Sequence, residues 1–411
     1  MRINHYIGGV LLVAGTTIGA GMLALPVMSS FVGFFPSIMI FLLCWGVMLA
    51  TAFFFLDVNL AVKGEPNLIS MAHQTLGGWG KGVSWAFYLL LLYSLTAAYI
   101  AASAPLFSSA FFYITGKTLP QWVAPFCLPL IFGFFVYLGT LGVDLINRLL
   151  MVGLCVAYVL LVGFLPEYIE VDLLTHVDWK PIFMVFPVVI TSFGYHIIIP
   201  SLTTYMNHDK KKLRWILIIG SLLPLVIYLL WQVLILGIIP IGGENGLAHA
   251  WKYGKGATEP LTHLIANRWV KTGAHFFSFF AIVTSFLGVT LSLSDFLTDG
   301  FKIKKSWEGR LVACLLTFIP PLIFVFAYQR GFIVALEYAG AFVAILLIFL
   351  PAMMAWKLKE VRFYSTFWGR MLLGFIIMFA IFIVAVDVLE QLGVFKPLIS
   401  KYLIHEPIPL L

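Results

Sequence analysis

The sequence predicts an all-α polytopic membrane protein with eleven transmembrane helices. Three observations carry this expectation. Of 411 residues, 62% are apolar and only 10% are charged. Apolar stretches long enough to span a bilayer recur along the whole chain. Two of them are interrupted by glycine and proline at matching places.

A soluble chain of this size has no core large enough for so much apolar surface, whereas a bilayer accepts it. About 20 apolar residues cross roughly 30 Å of hydrocarbon as a helix. In lipid the backbone must bond within the segment or within a closed barrel. Barrel strands alternate at period two; residues 216–239 and 332–354 are apolar on every side, so they are helices. The expected spans are 6–32, 36–62, 81–114, 121–140, 145–166, 181–206, 213–240, 272–300, 308–328, 332–355 and 367–390. The first holds Pro26 and runs straight towards another span. It is too long for a signal-peptide core, so a retained helix is expected. The connection 241–271 contains five glycines and reads as a lid of short helices.

The net charge of +7 is not a nucleic-acid stripe, because the basic residues sit in short loops between spans. With the amino terminus inside, 16 of the 25 Lys and Arg residues fall on the cytoplasmic side. They include Arg2, Lys63, the Lys210–Arg214 cluster, Lys305 and Lys359. The other side receives the acidic loop Glu167, Glu170, Asp172 and Asp178. An odd span count puts the carboxyl terminus outside. Cys44, Cys127, Cys155 and Cys314 lie inside apolar spans without metal-like spacing and read as small core residues. No cofactor and no metal is expected.

The first span carries Thr17-Ile-Gly-Ala-Gly-Met-Leu-Ala-Leu-Pro26, and the sixth carries Thr191-Ser-Phe-Gly-Tyr-His-Ile-Ile-Ile-Pro200. Both blocks start with threonine, hold glycine near the middle and end in proline. Glycine costs about 1 kcal/mol and proline about 3 kcal/mol in a helix interior. Non-helical backbone at membrane depth is tolerated only against protein or a water-filled cavity. An opened helix exposes N–H groups that hold a carboxylate and C=O groups that hold an ammonium. A zwitterion needs both. The blocks lie five spans apart and enter the membrane from opposite sides. Five plus five inverted spans and one more make eleven, and paired interruptions of this kind point to a transporter site. The expected division is a first repeat over 1–170, a second over 178–358, an eleventh helix at 366–390 and an outer tail at 391–411.

At these residues the sequence resembles the bacterial hydroxy and aromatic amino acid permeases, the tyrosine and tryptophan permeases of the amino acid/polyamine/organocation superfamily. The resemblance is carried by Gly15-Thr-Thr-Ile-Gly-Ala-Gly-Met-Leu-Ala-Leu-Pro26, by Thr191–His196 with Ile199–Met206, and by Thr284–Asp299. It implies a LeuT-type fold and uptake of tyrosine, or alternatively tryptophan, across the bacterial inner membrane. It also implies a proton as the coupling ion, with sodium as the alternative.

Gly15, Thr16, Gly19, Ala20 and Gly21 are the expected carboxylate and ammonium contacts on span one, since small side chains let a ligand approach the backbone. Ser192, Phe193, Gly194 and Tyr195 form the matching break in span six. His196, near a span centre, is a candidate for a phenol hydroxyl or a proton. Tyr93 and Tyr99 lie on span three, which lines the site in the resembled fold. Thr284 and Ser285 stand where sodium-coupled relatives place hydroxyl ligands. Asp57 and Glu337 are acidic residues inside spans, which suggest ion handling; Lys63 is the nearest partner along the chain for Asp57, and Arg330 lies one loop from Glu337. For each of these residues ordinary helix packing is the alternative.

A haem enzyme needs facing histidines at depth. No H-E-x-x-H, G-x-S-x-G, Walker A or Thr-Val-Gly-Tyr-Gly block is present. The expectation is therefore a symporter and not an enzyme. A sensor that keeps the fold without transport is the nearest rival.

Overall fold

The computed structural model describes residues 5–403 apart from 63, 65, 305, 329, 359 and 360. Arg2, Lys63, Lys305 and Lys359, all part of the charge argument, lie outside the described residues, as does the end of the tail from 404 onwards. Among the described residues nine helices are long and apolar enough to cross a membrane, and one bent pair makes a tenth. The fourth expected span is the apolar helix Ala124–Leu138. Its 15 residues rise only about 22 Å, short of the hydrocarbon thickness. It packs among spans three, five, eight and nine.

The spans follow in the expected order. Span one is split into His5–Thr17 and Gly21–Ser29. Spans two and three are Phe34–Ala61 and Gly78–Thr115. Span five is Thr140–Phe164 and resumes one residue after span four, because Gly139 takes a left-handed φ of 81° and turns the chain there. Span six is broken within residues 182–205, and span seven is Lys210–Leu236. Spans eight and nine are Arg268–Gly300 and Trp307–Ala327. Span ten runs over Gly331–Lys357 with a π-helical stretch at Ala344–Phe349, and span eleven is Phe367–Gln391.

Among the described residues, two helices of more than one turn were not expected. Leu68–Leu76 lies between spans two and three, and its start is fixed by a reciprocal cap between Asn67 and Ser70. Lys396–Leu403 follows span eleven. The lid was expected and is present as Leu247–Lys252 and Thr258–Leu264.

The spans sort into two bodies. Spans one, two, six and seven pack on one another. Spans three, four, five, eight and nine pack on one another. Span ten touches both through spans three and six, and span eleven packs on span ten. The lid is pinned to the second half of span one, where the Ala257 N–H donates to the Leu23 carbonyl at 2.9 Å.

The last helix folds back as a strap on the lid face. Lys401 Nζ donates to Asp178 at 2.6 Å, and the Tyr402 hydroxyl donates to the same carboxylate at 2.8 Å. Burial pushes the Asp178 carboxyl up, but bonds from Lys401, the Lys180 N–H and Tyr402 outweigh it and hold the group at about 2. The folded value is depressed, so this clamp is intact above the ordinary carboxylate range and is lost only as pH falls towards 2. Asp178→Asn is expected to free the strap at neutral pH, read as faster proteolysis between residues 392 and 403, with wild-type cleavage rates counting against the clamp.

Candidate functional site at the two broken spans

Span one stops at Thr17 and restarts at Gly21, and its two pieces are bent by 56°. Gly19 and Gly21 flank the turn, and helix order is weakest where glycine has most freedom to lose. Span six stops at Ser192, passes through Phe193–Tyr195 and restarts with a tight turn at His196–Ile198 before Ile199–Tyr205. Pro200 sits in the first turn of that last piece, where its missing N–H is harmless. Both expected interruptions are real openings of the helix.

The two breaks meet. A Cβ added to Gly21 would lie 2.9 Å from Ser192 Oγ. One added to Gly19 would collide with Ser285 Oγ on span eight. The Ala20 N–H donates to that same Ser285 Oγ at 3.0 Å, and Tyr99 interacts with Ser285 from span three. Thus Gly19, Ala20, Gly21, Tyr99, Ser192 and Ser285, named from four different spans, are brought to one place.

A residue that sequence reasoning missed ties the breaks together. The Tyr228 hydroxyl, from span seven, lies 2.7 Å from the Thr17 carbonyl and 3.0 Å from the Ser192 carbonyl. Those are the last helical residues before each break. Its ring packs edge-on to Phe193 at 5.3 Å. Trp231 and Gln232, three and four residues further on the same face, bond the Met22 carbonyl at 3.0 Å and Ser29 Oγ at 2.6 Å. All three are fully buried. Three polar-tipped side chains at helical spacing inside an apolar span were the signal, because such groups are costly at depth without partners.

Other candidates are placed differently. Tyr93 turns to span nine and donates to the Leu316 carbonyl at 2.9 Å. Thr284 donates to its own helix at the Phe280 carbonyl, 2.8 Å away. Thr16 likewise bonds the Leu12 and Val13 carbonyls, both at 2.9 Å, while Gly15 faces Met151. The His196 ring is fully buried, stacks on Tyr195 and pairs through Nε2 with Thr51 Oγ1 at 2.9 Å. Gly194 sits just beyond the Thr191 carbonyl and near Leu347. The Ala14 carbonyl, one residue before Gly15, accepts from the Ile18 N–H at 2.9 Å.

Asp57 and Glu337 lie away from the breaks. The described partners of Asp57 come from span seven and its start: Lys210 at 2.8 Å and Arg214 at 3.4 Å, with the Tyr364 hydroxyl at 2.8 Å. Asp144 pairs with Arg148 at 2.9 Å, one helical turn away. Glu337 faces Arg330 at 3.6 Å. For Asp57 the buried member is the acid, while its cations are nearly half exposed. Removing the acid therefore strands no charge in a dry place. Asp57→Asn is expected to cost about 1 kcal/mol, nearer a surface pair than a buried one. Thermal unfolding in detergent checks this, and a loss above about 3 kcal/mol would show that the cations are desolvated.

The comparisons with known proteins agree with this architecture. The family model described as the tryptophan/tyrosine permease family matches residues 2–387. The tyrosine-specific transport system 1 of Haemophilus influenzae is 31% identical over 402 residues, covering 95% of this chain and 98% of the relative. A tryptophan-specific transport protein of the same organism is 33% identical over 412 residues, covering 95% and 97%. The crystal structure of MhsT in complex with L-phenylalanine superposes with a TM-score of 0.60 at 15% identity, covering 93% of this chain and 98% of that one. The fold is therefore LeuT-type, all-α and multi-pass. The enzyme alternatives fall away, and the chain belongs to the tryptophan/tyrosine permease family.

Proposed function

We propose that the protein is a secondary symporter that imports an aromatic amino acid, tyrosine in the first instance, driven by the proton gradient across the bacterial inner membrane. The observation that carries this reading is the meeting of two opened helices, with Tyr228 bridging the carbonyls that end each half. A zwitterion needs free N–H and C=O ends side by side. In this reading the substrate carboxylate takes the place now held by Ser285 Oγ at the Ala20 N–H. The ammonium joins the Tyr228 hydroxyl at the Thr17 and Ser192 carbonyls, each of which can accept a second bond. The ring lies beside Tyr99, Phe193 and span ten.

Transport follows from the two packed bodies. The group of spans one, two, six and seven rocks against the group of three, four, five, eight and nine around the fixed site. Inverted repeats over 1–170 and 178–358, with a separate eleventh helix at 366–390, supply that geometry. The basic bias of the loops supports a cytoplasmic amino terminus and an outer lid, with the residues from 391 outside. The relatives named for tyrosine and for tryptophan are about equally similar, at 31% and 33%.

Reconstituted vesicles test the reading. With an inward pH gradient, labelled tyrosine should accumulate at least tenfold over de-energised vesicles, and tryptophan less. Tryptophan accumulating more strongly would reverse the substrate assignment. A sodium gradient acting alone would overturn the proton assignment. Binding without any accumulation or exchange would favour the sensor.

A further inference from the structure

Span eleven stands outside the two rocking bodies, yet it carries two acidic residues, which are rare within transmembrane helices. Asp387 is only 4% exposed. Glu390, three residues on, falls on the same helix face. Across from them on span ten is Glu337, only 2% exposed. Glu337 and Glu390 lie within hydrogen-bonding reach of each other, and Asp387 adds its charge to both. Gln391 interacts with Asp387, and Tyr338 of span ten faces Asp387 and Glu337.

Among the described residues the cation at this group is Arg330, which acts on Glu337 and Glu390. Arg330 reaches Glu337 at 3.6 Å and also stacks on the Trp251 ring of the lid, 3.7 Å from its centre. Its Nε donates to the Trp251 carbonyl at 3.0 Å. Glu337 Oε1, Asp387 Oδ1 and both carboxyl oxygens of Glu390 are buried without a hydrogen-bond donor. So is one terminal nitrogen of Arg330. Three ionised carboxylates around one guanidinium in a dry setting are untenable, because a buried carboxylate needs a counter-charge and donors. Two facing carboxyls relieve this by sharing a proton. Among the described residues no group of three or more His, Cys, Asp or Glu side chains is placed to hold a metal ion.

We propose that Glu337, Asp387 and Glu390 form a proton-binding cluster between spans ten and eleven, linked to the lid through Arg330 and Trp251. This rests on the proton-coupled reading above and locates the proton. When the acids hold protons, Arg330 is released from Glu337 and rests wholly on Trp251, keeping the lid closed. When a proton leaves, the freed carboxylate draws Arg330 back and loosens the lid. The substrate site and the proton site are then different places joined by span ten, which also packs against span six.

The test uses the full chain in vesicles. Two variants, Glu337→Gln and the double change Asp387→Asn with Glu390→Gln, are measured for tyrosine counterflow and for pH-gradient-driven accumulation. Both should retain counterflow within about threefold and lose accumulation at least tenfold. Accumulation at the wild-type level in both would overturn the proposal. Infrared difference spectroscopy of the wild type supplies an independent reading. A protonated-carboxyl band at pH 7, lost in the double variant, supports the cluster even where a variant inserts poorly. Absence of that band overturns the cluster whatever drives transport. If wild-type vesicles ignore the pH gradient while the band is present, the coupling reading fails and the proton site stands as a regulatory one.

Discussion

Gly21→Leu is expected to lower uptake at least a hundredfold while the protein still inserts into the membrane. The Cβ alone would approach Ser192 Oγ to 2.9 Å and the Ser192 Cα to 3.7 Å, so the rest of a leucine has no room. Overpacking typically costs about 1–3 kcal/mol. Spread over eleven packed spans, that does not prevent insertion. At the site it forces the two breaks apart, and displacement of a binding group by about 1 Å can cost roughly a hundredfold in function. Gly21→Ala meets only a serine hydroxyl that can rotate aside, so its loss should be about tenfold. Labelled tyrosine uptake, normalised to the amount in the membrane fraction, checks both. Wild-type uptake by Gly21→Leu would refute a site built on backbone.

The second large effect is expected for Tyr228→Phe. The ring still packs against Phe193, but the Thr17 and Ser192 carbonyls lose their shared hydroxyl. An unpaired buried carbonyl costs about 1–3 kcal/mol in a soluble core. Inside membrane proteins single bonds average nearer 0.6 kcal/mol, because the chain finds other partners. The stability loss should therefore stay at about 1–2 kcal/mol. Function is more sensitive, because the hydroxyl sets the distance between the two breaks. Uptake is expected to fall at least tenfold, and the apparent tyrosine affinity with it. Thermal unfolding and uptake on the same preparation separate the two effects. A destabilised variant with normal uptake would make Tyr228 a packing residue only.

Much of the fold was legible because it is set locally. Apolar length gave the spans, and the paired Gly/Pro blocks at Thr17–Pro26 and Thr191–Pro200 marked both openings where the helices do break. The lid between spans seven and eight was visible in its glycines and polar residues. The helix Leu68–Leu76 could have been found from the Asn67-x-x-Ser70 cap. The strap helix Lys396–Leu403 could not, since what holds it is Asp178, more than two hundred residues away.

The candidate site was legible only by half. Gly19, Gly21 and Ser192 follow from the breaks themselves. The partner of Asp57 did not, because Lys210 and Arg214 reach it through the packing of span seven on span two. Glu337 was visible as a costly acid inside a span, but its companions Asp387 and Glu390 sit on span eleven, and nothing in sequence order joins them.

What the sequence by itself determined is the order of the spans, the places where two of them open, and the family. Those depend on transfer free energy and backbone freedom, which each short segment carries alone. Only the tertiary structure decided which groups fill the openings. Tyr228 meets Thr17 and Ser192, and Ser285 meets Ala20, across separations of 36 to 265 residues. A hydrogen bond depends on distance in space over a few tenths of an ångström. Hydrophobic length, which writes the spans into the chain, carries no such information.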